Sequence, residues 1–545
     1  MNRDSPLKIG IMIDSITQPA WVDSMLDHVI SQNLAEITLV IENIDERTWL
    51  EKVWKNLPHL GYYIYEKIDR VIFRAIFRTL PDAFARRTIS HYVHTAQKIA
   101  VRPKRTEYCD YFASEDIEKI KTAGCDLLLR LDFRILRGDI LKVTPLGVWS
   151  FHHGDSQRYR GGPSSFWEII EGSPTTGVIL QQLAEKLDCG LVLASHISPT
   201  YHYSLARSRH QNYWRGSELF ERALKRTLGG HAMNPKAPEI TNQGALYRMP
   251  ANTFMLKKLL PMLFRWPLRI WQEIRPSDSW LMCWQDEKKE FGVISEYHRF
   301  DSPADGFIAD PCAVEHNNNI LIFYERWIKK TARGHIELIG MTNEGELLDP
   351  VCVLKENWHL SYPYVFKWKN QWWMVPESAE IGRVDLYQAT RFPYEWEWHS
   401  TLLSDINAVD STLVEINEHW WMWTSTGPQF LDNWDVVKLY MAKSPLGPWV
   451  EHPLSPVVSD VRCARPAGRP FFRDGYWIRP TQDCSQGYGF ALNFRRIKRI
   501  SPTDYDEENW GEILPESVGN SMSGIHTWSV AGKRVFFDAK SDFNV

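Results

Sequence analysis

One sequence pattern occurs five times in the C-terminal half of the chain: a polar residue, a short apolar strand, a turn and an aromatic-rich strand. The residues that begin the five copies are Asp310, Tyr362, Asp410, Arg469 and His526. They are separated by 52, 48, 59 and 57 positions. A period near 50 with short strands and regular turns is typical of propeller blades. The repeat therefore predicts an all-β five-bladed propeller over residues 281–545, with these five side chains at its central mouth.

Composition and charge exclude some classes of function. The chain has 545 residues, a formal net charge of −4 and a pI near 6.5. A nucleic-acid-binding surface would require a basic excess, so we expect no nucleic-acid partner. The eight cysteines include no CxxC pair, and we predict no metal site from their spacing.

The N-terminus and the apolar segments predict a cellular compartment. Residues 2–6 lead directly into a strand-like segment at 8–13, without the cationic start and apolar stretch of a secretory signal. No apolar run approaches the roughly 18–20 residues that span a bilayer. We therefore expect a cytoplasmic protein with reduced cysteines and no transmembrane segment. The sequence leaves its oligomeric state open.

Residues 1–228 have the alternating pattern of an α/β domain. A buried strand at 9–13 precedes an amphipathic helix at 19–32 and a second strand at 36–41, and the pattern resumes with a helix at 114–123. This alternation predicts a doubly wound parallel sheet. Ligands of such sheets bind outside the carboxyl ends of the strands. The loops contain neither GxGxxG nor GxxxxGK[ST], so we expect no dinucleotide or Walker-type phosphate site.

Residues 229–280 are predicted to form a connector. It contains an apolar and basic segment at 254–271, which Pro261 and Pro267 interrupt. Such a segment could contact a membrane surface peripherally, as basic amphipathic helices do. The prolines prevent a continuous amphipathic helix and favour a second interpretation, in which the segment packs the two domains together.

One N-terminal segment carries candidate catalytic residues. His152 follows a predicted strand, where an acid or base of an α/β enzyme would lie. Asp188 comes 36 residues later, two residues before Gly190. A positioned histidine with a carboxylate is the minimum for general acid–base catalysis. A histidine and an aspartate at this separation can also be unrelated, which would leave a scaffold with a degenerate site.

The segment around His152 resembles the catalytic core of the folate-dependent formyltransferases. The matching motifs, in the order of that family, are Phe151-His152, Arg158-Tyr-Arg-Gly161, Glu171-Gly172, Thr176-Gly-Val178 and Asp188-Cys-Gly190. The resemblance covers about residues 8–200. It implies 10-formyltetrahydrofolate as the donor, with His152 stabilising a tetrahedral intermediate. Asp188 would orient this histidine and accept the proton of the amine through water.

Ser150 departs from the family pattern, which has an asparagine at this position. The resemblance implies that the amide donates a hydrogen bond to the developing oxyanion, and the loss of one such donor costs about 10²–10³ in rate. A serine hydroxyl can also donate, but it is shorter. We therefore expect Ser150 to weaken or redirect formyl transfer, and Ser150→Asn to increase it.

The propeller region resembles a second known module. Its motifs are Asn357-Trp-His-Leu-Ser-Tyr-Pro363, Gln371-Trp-Trp-Met-Val-Pro-Glu377, Ser444-Pro-Leu-Gly-Pro-Trp449, Gly468-Arg-Pro470 and Gln482-Asp-Cys484. They are similar to the propeller of plant glucosamine inositolphosphorylceramide transferases, which is akin to the five-bladed family 43 glycoside hydrolases.

The hydrolase resemblance implies an aspartate base, a second aspartate and a glutamate acid. Asp310 matches the base, but Tyr362 replaces the carboxylate of the second blade and Asp410 lies where the acid is expected. Glu325 and Glu377 end the inner hairpins and could also reach the mouth. Hydrolysis, saccharide binding and a structural role all remain open.

The two resemblances together predict a function. We expect the first domain to transfer a formyl group to an amino group, of an amino sugar or glycoconjugate, while the propeller binds the saccharide. One alternative is a glycoside hydrolase centred on Asp310 and Asp410. Another is a non-catalytic glycan-binding protein.

Overall fold

The computed structural model describes most of the chain. It covers residues 5–541 except 45–52, 55, 79, 107, 156, 187–189, 231–244 and 259–279. The chain divides into two compact units, residues 1–274 and 275–545. Asp188 and most of the apolar and basic segment at 254–271 lie outside the described residues. Among the helices that are described, none has the length and apolar character needed to cross a membrane.

The N-terminal unit is built on a seven-stranded sheet. Its strands are β1 (Leu7–Ile13), β2 (Ala35–Asn43), β3 (Gln97–Val101), β4 (Leu127–Arg130), β5 (Val148–His152), β6 (Thr175–Gln182) and β7 (Leu191–Pro199). Their spatial order is β7-β6-β5-β4-β1-β2-β3. The neighbouring strands in the series β5-β4-β1-β2-β3 all pair in parallel, whereas β6 is antiparallel to both β5 and β7. The sheet is mostly parallel with an antiparallel edge, which confirms the predicted α/β class.

Short strands and helices surround this sheet. The short strands are Thr17–Pro19, Arg86–Thr88, Lys104–Arg105, Cys109–Tyr111, Ile135–Arg137, Tyr159–Gly161 and Ala245–Tyr247. The helices are α1 (Ala20–Ser31), α2 (Leu60–Ile76), α3 (Ser114–Thr122), α4 (Phe166–Glu171) and α5 (Leu205–Leu228), with 3₁₀ turns at Leu57–His59 and Asp139–Lys142.

Both faces of the sheet are buried, which explains the continuous apolar runs of its strands. Successive residues of a strand point to opposite faces. Leu129 of β4 packs with Trp21 of α1 and Phe220 of α5, whereas Leu128 packs with Ile120 of α3 on the other face. Helices on both faces make the sheet doubly wound, and its polar groups can therefore meet a ligand at the strand ends.

The C-terminal unit is a five-bladed β-propeller, as the repeat predicts. Blade I comprises Gly306–His316, Asn319–Ile328, Arg333–Met341 and Val351–Leu354, and blade II comprises Ser361–Trp368, Gln371–Glu377, Arg383–Arg391 and Glu395–Ser404. Blade III comprises Ala408–Ile416, His419–Thr426, Val437–Ala442 and Val450–Glu451, and blade IV comprises Phe471–Arg473, Tyr476–Asp483, Ala491–Ser501 and Asp504–Ile513. Two 3₁₀ turns lie at Ala379–Ile381 and Pro515–Ser517.

Blade V closes the ring. It joins Met522–Gly524, Trp528–Ala531 and Arg534–Ser541 to Trp280–Asp286 and His298–Arg299. The strand Trp280–Asp286 pairs along its whole length with Arg534–Ser541. The beginning and the end of the propeller thus share one sheet, and no open edge is left between the first and last blades.

A backbone irregularity recurs where the inner strands of blades I, II and III begin. Asp310, Tyr362 and Asp410 have φ values of 55°, 42° and 53°, in the left-handed region. The pairing register shifts at each of them. Such a bulge redirects a side chain, and a non-glycine residue in this region costs roughly 1–3 kcal/mol. The repeated sequence pattern therefore encodes a repeated bulge at the central mouth.

We predict that Gly468→Ala destabilises the propeller by at least about 2 kcal/mol. Gly468 has a φ of 136°, and a Cβ atom there would lie 2.0 Å from the carbonyl oxygen of Trp528 in blade V. Chemical unfolding of the full chain measures the loss. Gly511→Ala is the matched control, because its Cβ would meet nothing within 4 Å. Equal stability of the two variants would contradict the prediction.

Candidate functional site

The N-terminal unit has a cavity of about 200 Å³ at the carboxyl ends of β4 and β5. Arg130 ends β4 and His152 ends β5, and both side chains line the cavity. Its wall also contains the apolar residues Ile135, Leu136 and Leu183. A concave, largely apolar pocket with a few polar groups at the strand ends is the expected ligand site of such a sheet.

His152 has a defined hydrogen bond. Its Nε2 atom lies 3.3 Å from the carbonyl oxygen of Tyr159, which can only accept. Nε2 therefore carries the proton, and Nδ1 is the acceptor atom of the neutral ring. The adjacent His153 is unsuited to catalysis, because it stacks on Tyr213 at 3.6 Å in the core and burial lowers its pKa well below the usual value.

Ser150 supports an arginine. Its Oγ accepts a 2.9 Å hydrogen bond from Nε of Arg130 and donates to the carbonyl oxygen of Phe151 at 3.3 Å. Nη1 of Arg130 donates to the carbonyl oxygen of Arg134 at 2.7 Å. Burial lowers the pKa of Arg130 to about 10, so the guanidinium remains charged at neutral pH. A cation thus lies beside the position where the formyltransferases have an amide.

Asp188 lies outside the described residues, whereas the residues two positions to either side of it are described. Lys186 and Gly190, two residues to either side, both line the cavity that contains His152. The structure therefore brings the chain on both sides of Asp188 to this histidine. The predicted contact of Asp188 with the imidazole stays a prediction.

The centre of the propeller contains a histidine between two carboxylates. Nε2 of His526 lies 3.2 Å from Oδ1 of Asp310, and Nδ1 lies 2.8 Å from Oδ1 of Asp538, an ion-pair distance without hydrogen-bond alignment. All three residues are buried. Burial alone would lower the pKa of His526, but the carboxylates raise it to about 10. Despite its burial, Asp310 has a lowered pKa because this imidazolium faces it.

A second ion pair joins blades III and IV. Nε of Arg465 donates to Oδ2 of Asp410 at 2.5 Å, and the Gln482 amide donates to the same oxygen at 2.9 Å. Nη2 of Arg465 also lies 3.8 Å from Glu377 of blade II. The guanidinium stacks over the ring of Tyr488, 4.8 Å from its centroid. Blades II, III and IV are therefore linked by charge at the mouth.

Glu325 and Glu377 both have raised pKa values. Burial raises the pKa of Glu325 well above its usual value, and the charges of Asp310 and Glu377 raise it further. Burial and the charge of Asp410 do the same for Glu377. The cations Arg465 and His526 are too few to balance the carboxylates, so both glutamates favour the protonated form more strongly than a free carboxyl group does.

Tyr362 and Arg469 differ from the other predicted mouth residues. The backbone N–H of Tyr362 donates to Oδ2 of Asp310 at 3.2 Å, and its hydroxyl bonds Thr412 at 2.7 Å, so the ring links three blades. Arg469 is not in the carboxylate cluster: it donates to the carbonyl oxygen of Val365 and lies over the ring of Tyr364.

The position of Arg469 follows from the strand register. Asp310 lies six residues before His316, the last paired residue of its hairpin, whereas Arg469 lies only four before Arg473. Arg469 is therefore equivalent to Cys312, which lies four residues before His316. Both residues lie one layer deeper in the channel than Asp310. Arg469 lines a small cavity with Asp310 and Tyr362 but pairs with none of the described carboxylates, and Arg465 supplies the guanidinium of the carboxylate cluster.

The charged centre also contains a possible cation site. The ligand atoms of Asp310, His526 and Asp538 lie within 4.8 Å of one another. Asp538 already accepts hydrogen bonds from the backbone N–H groups of Asp310, His526 and Thr527. A metal would also have to displace a proton from an imidazole of raised pKa. The geometry favours an ion-paired network.

Sequence reasoning missed Arg465, Asp538, Gln482 and Tyr488. One signal was available for Gln482: it lies six residues after the hairpin residue Tyr476, the spacing that also places Glu325 and Glu377. Arg465 precedes the regular strands of blade IV. Asp538 lies four residues after the hairpin residue Arg534, whereas Glu325, Glu377 and Gln482 lie six residues after theirs. No repeat spacing could have identified those two.

Comparisons with known proteins agree with both resemblances. Residues 295–540 match the family model described as "Glucosamine inositolphosphorylceramide transferase 1, N-terminal". A glucosamine inositolphosphorylceramide transferase 1 from Oryza sativa subsp. japonica is 33% identical over 229 residues, which is 41% of this chain and 30% of the relative. The chain thus spans less than a third of the length of this relative.

The N-terminal region resembles formyltransferases. A methionyl-tRNA formyltransferase from Enterococcus faecalis is 33% identical over 87 residues, which is 16% of this chain and 28% of that protein. The solved glycinamide ribonucleotide transformylase 1 from Symbiobacterium toebii is 12% identical over 42% of this chain and 90% of its own, with a TM-score of 0.29. A score this low is no evidence of a shared fold, and the α/β class of this unit is shown by its strand order.

We predict that the stability of the propeller falls between pH 6.5 and about 10. The folded pKa of His526 is about 10 and the unfolded value about 6.5, so its stabilisation is complete below pH 6.5 and is lost as the pH rises through 10. The expected loss is on the order of a few kcal/mol. Urea unfolding at pH 7 and 9.5, followed by tryptophan fluorescence, measures it. His526→Gln should remove most of this pH dependence, and an unchanged slope would contradict the assignment.

Proposed function

We propose that the N-terminal unit transfers a formyl group from 10-formyltetrahydrofolate to an amino group of an amino sugar or glycoconjugate. The cavity that contains His152 and Arg130 carries this proposal. It lies at the strand ends where such a sheet binds its ligands, and the motifs around it are those of formyltransferases. The propeller would bind the saccharide part of a substrate.

The cavity fits the pteridine ring of the donor. Oε1 of Gln181, in the cavity wall, is buried and has no hydrogen-bond partner among the described residues. An unpaired buried acceptor is costly unless a ligand donates to it, and the amino group of a pteridine is such a donor. Ile135, Leu136 and Leu183 would hold the faces of the flat ring. The bound donor would supply the formyl carbon.

The residues of this chain would then act on the acceptor and on the carbonyl oxygen. Arg130 presents a fixed cation at the cavity wall, where it can stabilise negative charge on an oxygen atom, and this compensates for the missing amide at Ser150. Nδ1 of His152 can accept or return a proton, because Nε2 is held by Tyr159. Asp188 is the proposed partner that takes the proton of the amine.

We predict that His152→Gln and Asp188→Asn each lower kcat by about 10²-fold or more. The assay follows tetrahydrofolate release from 10-formyltetrahydrofolate with a panel of amino sugars, including nucleotide-linked ones. His91→Gln is the control, because His91 is exposed in the same unit. Unchanged turnover in both variants would reject the proposed site.

The same assay tests the role of Arg130. Ser150 is 1% exposed and bonds Arg130, so the larger side chain of Ser150→Asn must displace the guanidinium. In contrast to the expectation drawn from the sequence, we therefore propose that turnover falls in Ser150→Asn and in Arg130→Gln alike. An increase in the serine variant would show that the amide, and not Arg130, is the missing donor.

A second candidate function belongs to the propeller. The imidazolium of His526 lowers the pKa of Asp310, while burial raises the pKa of Glu325 and of Glu377. A base and an acid at one mouth are the requirement for glycoside hydrolysis, and the same polar groups would bind a saccharide without cleaving it. The carboxylates gathered around His526 and Arg465 are the observation that supports the alternative.

We predict that Asp310→Asn weakens saccharide binding by the propeller at least about tenfold. Glycan-array binding and thermal shift with the full chain measure the affinity, and product analysis detects cleavage. Asp474→Asn, in an exposed hairpin turn, is the matched control. Loss of cleavage in Asp310→Asn would indicate a hydrolase, loss of binding alone a lectin-like site. Wild-type behaviour in both assays would reject both.

A further inference from the structure

Helix α2 of the N-terminal unit exposes a continuous aliphatic stripe. Leu60, Ile64, Ile68 and Val71 are 48, 49, 47 and 63% exposed. Their spacing of four, four and three residues places them on one face of the helix. Leu57, 48% exposed in the preceding 3₁₀ turn, extends the same row. Single exposed aliphatic residues are common, but an aligned row of five is not.

This stripe is not the face that packs on the protein. The opposite side of α2 carries Tyr62, Tyr65 and Phe73, which are all buried. Tyr62 and Tyr65 pack against Phe166 of α4 in one apolar cluster. A helix of a globular protein needs only one apolar face for its core. The second apolar face of α2 therefore has no role in the stability of the unit as described.

Cations lie along one side of the stripe. Lys67, Arg70 and Arg74 are spaced three and four residues apart and are exposed, so they form a second row next to Ile64, Ile68 and Val71. Two nearby carboxylates are engaged by these or other arginines, Glu66 by Arg70 and Arg209 and Asp82 by Arg74. The surface beside the stripe thus has a positive charge.

Residues 252–258 extend this surface. The helical turn there is attached to the start of α2: the Gly61 N–H donates to Oδ1 of Asn252 at 2.9 Å, and Asn252 donates to the carbonyl oxygen of Leu57 at 2.9 Å. Leu256 is 69% exposed, and the two lysines that follow it are also exposed. The same composition, aliphatic with adjacent cations, therefore continues beyond α2.

We propose that this face of α2, with residues 252–258, binds the surface of an anionic lipid bilayer. An aliphatic row with cations along its side can enter the interface while the lysine and arginine side chains reach the phosphate groups. Each cation near an anionic leaflet adds electrostatic attraction. A second copy of the chain fits less well, because two such faces would bring their cations together. The inference is independent of the proposed transfer reaction.

Vesicle binding tests the proposal with the full chain. The wild-type protein should co-sediment with phosphatidylserine–phosphatidylcholine vesicles and much less with pure phosphatidylcholine. The double variant Ile64→Gln/Ile68→Gln should reduce binding by roughly tenfold or more. Lys67→Gln/Arg70→Gln should reduce it and weaken its dependence on salt. The matched control is Leu348→Gln/Val450→Gln, which changes two propeller residues that are 51 and 56% exposed.

Three outcomes would overturn the proposal. The first is that the wild-type protein does not bind anionic vesicles. The second is that the α2 double variant binds as well as the control variant. In the third, light scattering shows a dimer that the α2 double variant converts to a monomer, which would make a second copy the occupant. Circular dichroism of each variant establishes that the helix content is retained, so that a loss of binding reports on the surface.

Discussion

The carboxylate of Asp538 is the interaction on which the propeller centre depends. It is completely buried and accepts hydrogen bonds from three backbone N–H groups, one of which belongs to Asp310 in blade I, while its own strand closes blade V. A buried carboxylate is tolerated only when its oxygens are satisfied. Ring closure provides that satisfaction, and the charge of Asp538 in turn keeps His526 protonated. The closure of the ring therefore also determines the charge of His526 at the mouth.

The distribution of protons at the mouth follows from this arrangement. Because His526 carries a positive charge, Asp310 can remain ionised, and each further carboxylate must either pair with Arg465 or keep its proton. Glu325 lies 3.6 Å from the imidazole of His359 and Glu377 lies 3.8 Å from Arg465, and burial nevertheless raises the pKa of both. Burial and the neighbouring charges together thus push the pKa values of these carboxyls apart, down for Asp310 and up for Glu325 and Glu377.

The sequence repeat predicted the five blades because their hairpin turns and inner strands are local features. It also singled out Asp310 and Asp410, which occupy equivalent bulges at the start of the inner strands of blades I and III. Arg469 lies one layer deeper because the distance between repeats includes loops of different lengths, and only the distance to the hairpin turn fixes the level in the channel. Asp538 could not be predicted, because its role depends on a pairing between the two ends of the propeller.

In the N-terminal unit the end of β5 was predictable, and with it His152, but the role of Ser150 was not. Ser150 pairs with Arg130 across the parallel strands β5 and β4, so the two side chains meet only in the folded sheet. A short hydroxyl leaves room for the guanidinium, whereas an amide would fill it. In the proposed transfer reaction, Arg130 on the neighbouring strand would replace the amide of the formyltransferase pattern as hydrogen-bond donor and would add a positive charge.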